Sequence, residues 1–228
     1  MSRSSQRNNE FMKLSELLFE KTKEAWDQSS SKPFVIDMAK GTLDKDLFRR
    51  YMLQDYLYLQ DYIEILKEIK GICEDEKTAG FLDKIIAGTT REAETVHRSN
   101  MEELGITDEE LSKSVSFPVI TEYVNYMRGC VEKFGLLGGL TALLQCSWVY
   151  AYIAENNVSR YKDEISKSEY GSWFEAYTSQ SYLDTNQMWI DLLDKQSEGS
   201  DDALVSEMCG IFERCAGFEN EFWDALYT

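Results

Sequence analysis

The sequence contains a single histidine, His97, and this scarcity excludes several kinds of functional site. His97 ends the motif Glu94-Thr-Val-His97, but a carboxylate-bridged di-iron site in a helical bundle needs two motifs of this kind. A Ser-His-Asp triad would need the same histidine beside a serine and an acid, and a charged helix gives that arrangement little support. A lone histidine rarely forms a metal site, so we predict no metal site and a structural or surface position for His97.

Cysteine pairs are also missing, because the five cysteines include no C-x-x-C spacing and are odd in number. This pattern argues against a disulfide framework and against a structural zinc site. Reduced thiols are typical of cytosolic proteins, so we expect a cytoplasmic protein. The cysteines are Cys73, Cys130, Cys146, Cys209 and Cys215.

Positive charge is in short supply, since 24 lysine and arginine residues face 41 aspartate and glutamate residues, a formal net charge of −17. Such a chain repels nucleic-acid phosphates and an anionic membrane surface, so neither is an expected partner. No apolar run reaches the ~18 residues of a membrane-spanning helix. The first residues lack the apolar core of a secretory signal, and we expect residues 1–11 to form a short disordered tail.

Proline occurs only twice, at Pro33 and Pro118, and helix-period patterns fill the segments around both. No run alternates between apolar and polar residues as a strand would, and no linker is long enough to separate two domains. We therefore predict an all-α bundle with one domain over residues 12–228. The predicted helices cover about 10–29, a short helix ending at Lys40, 44–70, 75–104, a short helix capped by Thr107, 118–134, 136–157, 159–166, 170–196 and 203–227.

The segment from Thr141 to Tyr150 is apolar, lacks glycine and proline, and places Cys146 four residues before Tyr150. At that spacing a thiol and a phenol share one helix face. Inside an apolar wall, Cys146 is either a nucleophile in a pocket or an ordinary core residue. Free cysteine is among the most buried residue types, so this segment alone favours the core.

A second segment combines a carboxylate with three phenols. Tyr51, Asp55, Tyr58 and Tyr62 lie four, three and four residues apart, which places them on one helix face. A solvent-facing stripe would carry lysine and glutamate, and a core stripe would carry leucine. The mixture fits either a lined cavity or the edge of the core.

A third segment, near the C-terminus, carries Glu219 with two aromatic residues three and four positions later. If this carboxyl group is buried, its pKa is raised and it can serve as a general acid or base; otherwise it is a solvated helix acid. Tyr123 and Tyr177 also stand at helical spacing from other aromatic residues, where core packing is the usual outcome.

Four segments, taken together and in this order, resemble the TenA family, also called thiaminase II or aminopyrimidine aminohydrolase. The resemblance runs from about residue 12 to the end of the chain, and the chain is similar to the branch that keeps the cysteine. The segments are Leu53-Gln-Asp55-Tyr-Leu-Tyr58-Leu, Ala142-Leu-Leu-Gln-Cys146-Ser-Trp-Val-Tyr150, Trp173-Phe-x-x-Tyr177 and Glu219-x-x-Phe222-Trp223.

The resemblance implies a heme-oxygenase-like multi-helix bundle, assembled as a homotetramer, with no metal or cofactor. It implies an aminopyrimidine substrate, with Cys146 as nucleophile, Glu219 as acid/base partner and Asp55 as the ligand of the amino group. The tyrosines that would stack on the ring or hydrogen-bond it are Tyr58, Tyr123, Tyr150 and Tyr177. Heme oxygenase itself is not expected, because the first helix lacks the histidine that its iron needs.

The implied reaction hydrolyses 4-amino-5-aminomethyl-2-methylpyrimidine, or thiamin, to 4-amino-5-hydroxymethyl-2-methylpyrimidine, as a step of thiamin pyrimidine salvage. Two positions depart from the family pattern: Gln145 replaces a frequent proline, and Lys32 a frequent histidine. Two other functions stay open at this stage. One is a non-catalytic protein that binds a thiamin-related ligand; the other is a metal-dependent oxidase, which the single histidine opposes.

Overall fold

In the computed structural model, which describes residues 12–227 (Val96 by its backbone alone), the chain folds into helices joined by short turns, without a strand in that range. The prediction of an all-α bundle is confirmed, while the predicted tail, residues 1–11, lies outside the described residues. The helices are α1 Leu14–Ser30, α2 Pro33–Lys40, α3 Lys45–Gly71, α4 Glu76–Arg91, a π-helical turn Glu92–His97, α5 Arg98–Glu103, α6 Asp108–Lys113, α7 Pro118–Ile165, α8 Gly171–Tyr177, α9 Gln180–Gln196 and α10 Asp202–Ala225.

Helix α7 is the centre of the bundle and contacts α1, α2, α3, α8, α9 and α10. It is one element by hydrogen bonding, yet its backbone leaves helical geometry at Gly135 (φ 59°, ψ −141°) and at Tyr161 (φ −129°, ψ 34°). The first break agrees with the predicted helix end at Gly135. The second replaces the predicted boundary near residue 158.

Helices α3 and α7 approach closely just beyond the break at Gly135. A Cβ atom added to Gly139 would collide with Cγ2 of Ile69, so glycine permits this close contact. Further along the pair, the Tyr62 hydroxyl on α3 donates a hydrogen bond of 2.9 Å to the carbonyl oxygen of Leu143. The close approach therefore brings the Cys146 turn of α7 against the Tyr/Asp stripe of α3.

The prediction of one helix over residues 170–196 is wrong, because the chain turns between α8 and α9. The helical φ/ψ pattern stops at Thr178, and Ser179 is the N-cap of α9, with its side-chain oxygen accepting from the Tyr182 backbone N–H. Serine competes with the helix for backbone donors in this way and favours caps. The turn directs Tyr177 and Tyr182 toward the same cavity.

Within the described residues, α7 is long and apolar enough to cross a membrane by length and composition. Its most apolar window is 67% buried inside the bundle, and the core helix of a soluble protein passes the same test. This window therefore belongs to the core that α7 shares with its neighbours.

Candidate active site

The stripe on α3 faces inward, and all four of its members, Tyr51, Asp55, Tyr58 and Tyr62, are buried. Of the two alternatives that the spacing left open, the lined cavity is the one observed. Asp55, Tyr58 and Tyr62 line a cavity of about 420 Å³, while Tyr51 lies behind Asp55 in the core. This volume is within the range of small-molecule sites.

Asp55 is held in place by two donors, one of which is itself fixed by a third side chain. The Nε2 atom of His97 lies 2.6 Å from Oδ2 of Asp55, and the Tyr51 hydroxyl donates to the same oxygen at 3.3 Å. The Tyr51 hydroxyl in turn accepts from the indole N–H of Trp173 at 3.0 Å. Among the described residues both donors use Oδ2, so Oδ1 of Asp55 can accept from a ligand.

His97 is buried at the end of the π-helical turn, so its predicted structural position is right and a surface position is wrong. Its Nδ1 atom lies 3.3 Å from the backbone carbonyl oxygen of Glu92, which can only accept. With Asp55 accepting at Nε2, both ring nitrogens donate, as in the imidazolium form. Burial opposes this charge, but the hydrogen bond and charge of Asp55, with the charge of Glu92, raise the pKa of His97.

Cys146 and Glu219 meet from α7 and α10. The Cys146 thiol lines the large cavity and lies close enough to the Glu219 carboxyl group and the Tyr58 hydroxyl for both to act on its ionisation. Burial and the neighbouring Glu219 carboxylate raise the pKa of this thiol well above its usual value. Cys146 is therefore a pocket residue rather than an inert core thiol.

Glu219 is only 3% exposed, so the alternative of a solvated helix acid is excluded. Burial raises its pKa to about 8, although the neighbouring Cys146 and Tyr123 side chains act in the opposite direction. A carboxyl group with this pKa exchanges protons readily near neutral pH, which suits a general acid or base.

Glu219 and Tyr123 do not line the large cavity. They border a smaller compartment of about 10 Å³, which shares Asp55, Tyr58 and Tyr150 with the large cavity. This compartment is too small for an aromatic ring. The boundary between the two spaces is therefore the one place where the cavity linings allow Glu219 to meet a ligand of the large cavity.

Aromatic rings form the walls of the site. Tyr58 stacks on Tyr123 with centroids 5.6 Å apart, and Tyr150 lies 5.1 Å from Tyr177. The Tyr123 hydroxyl donates to the side chain of Gln145 at 3.0 Å, so this departure from the family pattern supports a wall residue. The structure thus brings all seven sequence-predicted site residues to the two adjoining spaces.

The sequence patterns did not reveal Glu92. Its side chain lines the large cavity and accepts a hydrogen bond of 3.3 Å from the Tyr177 hydroxyl. Burial, offset by the positive charge of His97, raises the pKa of its carboxyl group. Glu92 and His97 are five residues apart, the spacing that a π-helical turn brings to one face. This spacing is the sequence signal that could have placed Glu92 beside His97 and Asp55.

The described part of the chain holds no group of three histidine, cysteine, aspartate or glutamate side chains arranged to bind a metal ion. The residues that line the large cavity instead offer carboxylates, hydroxyls and one thiol, together with Lys84 on α4. These groups are suited to hydrogen bonding an organic ligand and to nucleophilic and acid/base chemistry.

Comparison with known proteins places this site in a family. A model of the TENA/THI-4/PQQC family matches residues 19–228. The chain belongs to this family. An aminopyrimidine aminohydrolase from Halalkalibacterium halodurans is 30% identical over 213 residues, covering 92% of this chain and 94% of the relative. An aminopyrimidine aminohydrolase from Helicobacter pylori is 29% identical, covering 95% and 99%.

A solved structure shows the same TENA-family architecture. The TenA homologue from P. horikoshii OT3 superposes with a TM-score of 0.80 at 27% identity, covering 95% of this chain and 99% of that chain. The resemblance to the TenA family that the four sequence segments indicated is thereby confirmed.

Proposed function

We propose that this protein is an aminopyrimidine aminohydrolase of thiamin pyrimidine salvage, which acts through Cys146 as a nucleophile. The observation that carries the proposal is the placement of the Cys146 thiol in a cavity lined by Asp55, with the buried Glu219 carboxyl group in the adjoining compartment and near enough to raise the pKa of the thiol. Curated relatives named aminopyrimidine aminohydrolase match nearly the whole chain, which indicates a hydrolase. The substrate and the role of each residue are part of the proposal.

The substrate is 4-amino-5-aminomethyl-2-methylpyrimidine, and thiamin carries the same ring. The free oxygen of Asp55 accepts from the 4-amino group, while Tyr58, Tyr150 and Tyr177 enclose the ring. Buried polar groups that lack a partner are costly, so a ring without the amino group would bind less well. These contacts set the ring with C6 toward the Cys146 thiol and N1 toward Glu219.

The reaction begins when the Cys146 thiol passes its proton to Glu219. The thiolate adds to C6, the C5–C6 double-bond electrons form an exocyclic C5–methylene double bond, and the C–N bond of the substrate's ammonium group breaks. The bonding pair leaves with nitrogen, as neutral ammonia. The protonated Glu219, hydrogen-bonded to N1, stabilises the charge that develops in the ring.

The second half reverses the first with water in place of the amine. Water adds to the exocyclic methylene carbon, the C5–C6 double bond re-forms, and the C6–S bond breaks. The proton lost by water is taken up by ammonia, and Glu219 returns its proton to the thiolate. The products are 4-amino-5-hydroxymethyl-2-methylpyrimidine and ammonium, with Cys146 and Glu219 in their starting states.

The test is incubation of the purified protein with 4-amino-5-aminomethyl-2-methylpyrimidine and, separately, thiamin, with product detected by chromatography and binding by calorimetry. We expect the hydroxymethylpyrimidine and one equivalent of ammonium from the first substrate. Binding of both compounds without any product would overturn the proposal in favour of a non-catalytic ligand-binding protein. Absence of both binding and turnover would exclude aminopyrimidines as its ligands.

A further inference from the structure

The large cavity contains a carboxyl group that the proposed chemistry leaves unused. Glu92 lines it from the π-helical turn, together with Asp55 and Cys146. Within the described residues, Tyr177 is the one side chain that donates a hydrogen bond to this carboxylate, and it uses only Oε1. The second oxygen is therefore free to accept hydrogen bonds from a ligand.

The ring orientation in the proposed function determines which substituent reaches this part of the cavity. On the pyrimidine ring, C5 lies between C4, which carries the amino group, and C6, which the thiol attacks. The C5 methylene group therefore leaves the ring between Asp55 and Cys146. Both of these residues line the large cavity, whereas Glu219 borders only the small compartment. The leaving group accordingly extends into the large cavity.

We propose that Glu92 is the leaving-group subsite, and that it selects substrates whose C5 methylene carries a protonated amine. This inference rests on the proposed function. An ammonium group has three donors, so it can satisfy the free oxygen of Glu92, whereas the quaternary nitrogen of thiamin has no hydrogen to donate. Hydrogen bonds between charged groups are the stronger ones, and burial of the carboxylate strengthens this one further.

The buried charges around Glu92 have a negative sum that favours a cation at this position, because among the described residues the carboxylates of Glu92 and Asp55 outnumber the one buried positive charge, that of His97. His97 faces it from the same turn, Asp55 from α3, and the Tyr177 hydroxyl from α8. The exposed Lys84 on α4 belongs to the same cavity lining. A bound ammonium group offsets the cost of burying the Glu92 carboxylate. The carboxylate in turn keeps the amine protonated, so that ammonia rather than an amide ion departs when the C–N bond breaks.

The test compares Glu92→Gln with Glu94→Gln, which removes the same charge from an exposed position of the same turn. Dissociation constants for the aminomethylpyrimidine, the hydroxymethylpyrimidine and thiamin are measured in the Cys146→Ser background, which limits turnover. Glu92→Gln is expected to weaken binding of the aminomethyl compound about 10- to 100-fold, in line with a lost charged hydrogen bond. In Glu92→Gln the dissociation constants of the other two compounds are expected to change less than about threefold. Glu94→Gln is expected to leave all three dissociation constants unchanged.

If Glu92→Gln weakens binding of all three ligands equally, the proposed subsite is wrong, because Glu92 then only shapes the cavity. The proposal is also wrong if Glu92→Gln has no effect on binding. Selectivity between the aminomethyl and hydroxymethyl compounds should also fall as pH is lowered and Glu92 gains a proton, and this fall should be absent from Glu92→Gln. Failure of the proposed function has a different signature, because no aminopyrimidine would then bind the wild-type protein, or the Cys146→Ser protein would keep full turnover.

Discussion

The carboxyl group of Glu219 is surrounded by aromatic side chains instead of water, and its ionisation therefore destabilises the folded protein. Its pKa is about 8 in the folded state, against an ordinary value of 4.5. Between these two values the folded chain holds a proton that the unfolded chain has released. Stability from this group is thus fully present below about pH 4.5 and is lost as pH rises to about 8.

Glu219→Gln removes this titration and is expected to flatten the pH dependence of stability. The wild-type free energy of unfolding should fall relative to the variant by several kcal/mol between about pH 5 and 8, at ~1.4 kcal/mol per pH unit. Urea denaturation at a series of pH values measures the difference. Parallel stability curves for the two proteins would show that Glu219 is not buried in an apolar environment.

In the proposed function His97 acts on the substrate through Asp55, which would make it a positioning residue. His97→Ala removes the donor to a buried carboxylate, a loss of about 1–3 kcal/mol. We expect KM for the aminomethylpyrimidine to rise at least about tenfold with a smaller change in kcat, because Asp55 contacts the amino group and not the bonds that change. His97→Gln, which retains a neutral donor, should recover part of the loss. An unchanged KM in His97→Ala would refute this role.

At the scale of single elements, the sequence predicted most helices because their apolar periodicity and glycine or serine boundaries are local. It failed where a boundary carries no such local signal. Thr178 and Ser179 continue the pattern of residues 170–196, and the turn between α8 and α9 depends on a serine cap and on packing against α7. The π-helical turn is equally invisible, because its six residues are too few to reveal a change of period within the predicted 75–104 helix.

The same reasoning explains which site residues could be predicted. Cys146, Asp55 and Glu219 stand in segments whose composition is unusual for either core or surface, so the sequence marks them. Glu92 and His97 have the composition of a solvated helix face. They turn inward only because the π-helical turn rotates them toward α3 and α8, and a contact of this kind between distant segments cannot be deduced from periodicity.

The break in α7 at Gly135 is a testable feature of one element. Gly135 has φ 59° and ψ −141°, a conformation that other residues strongly disfavour, while an added Cβ atom would meet nothing within 4 Å. Gly135→Ala should therefore lower stability by about 1–3 kcal/mol through backbone strain alone. Gly129→Ala, in the regular part of α7, should raise stability by about 0.5–1 kcal/mol. Thermal denaturation compares them, and a neutral Gly135→Ala would contradict this backbone geometry.

At the scale of the whole molecule, the fold class and family follow from features spread along the entire chain. The oligomeric state does not follow from such features, and we propose a homotetramer from the family resemblance alone. Light scattering of the purified protein is expected to give about four times the 26.4 kDa chain mass. A monomeric mass would refute the tetramer without affecting the site, whose described residues all come from one chain. The cytoplasmic location also stays a prediction.

The central claim is that the protein hydrolyses an aminopyrimidine through Cys146. Its most direct test is kcat/KM for 4-amino-5-aminomethyl-2-methylpyrimidine in the wild type, Cys146→Ser and Cys73→Ser, the last removing a thiol that lies outside the site. We predict a loss of at least ~100-fold, or ~2.7 kcal/mol of barrier, for Cys146→Ser with binding retained, and wild-type activity for Cys73→Ser. A Cys146→Ser protein with activity near that of the wild type would contradict the claim.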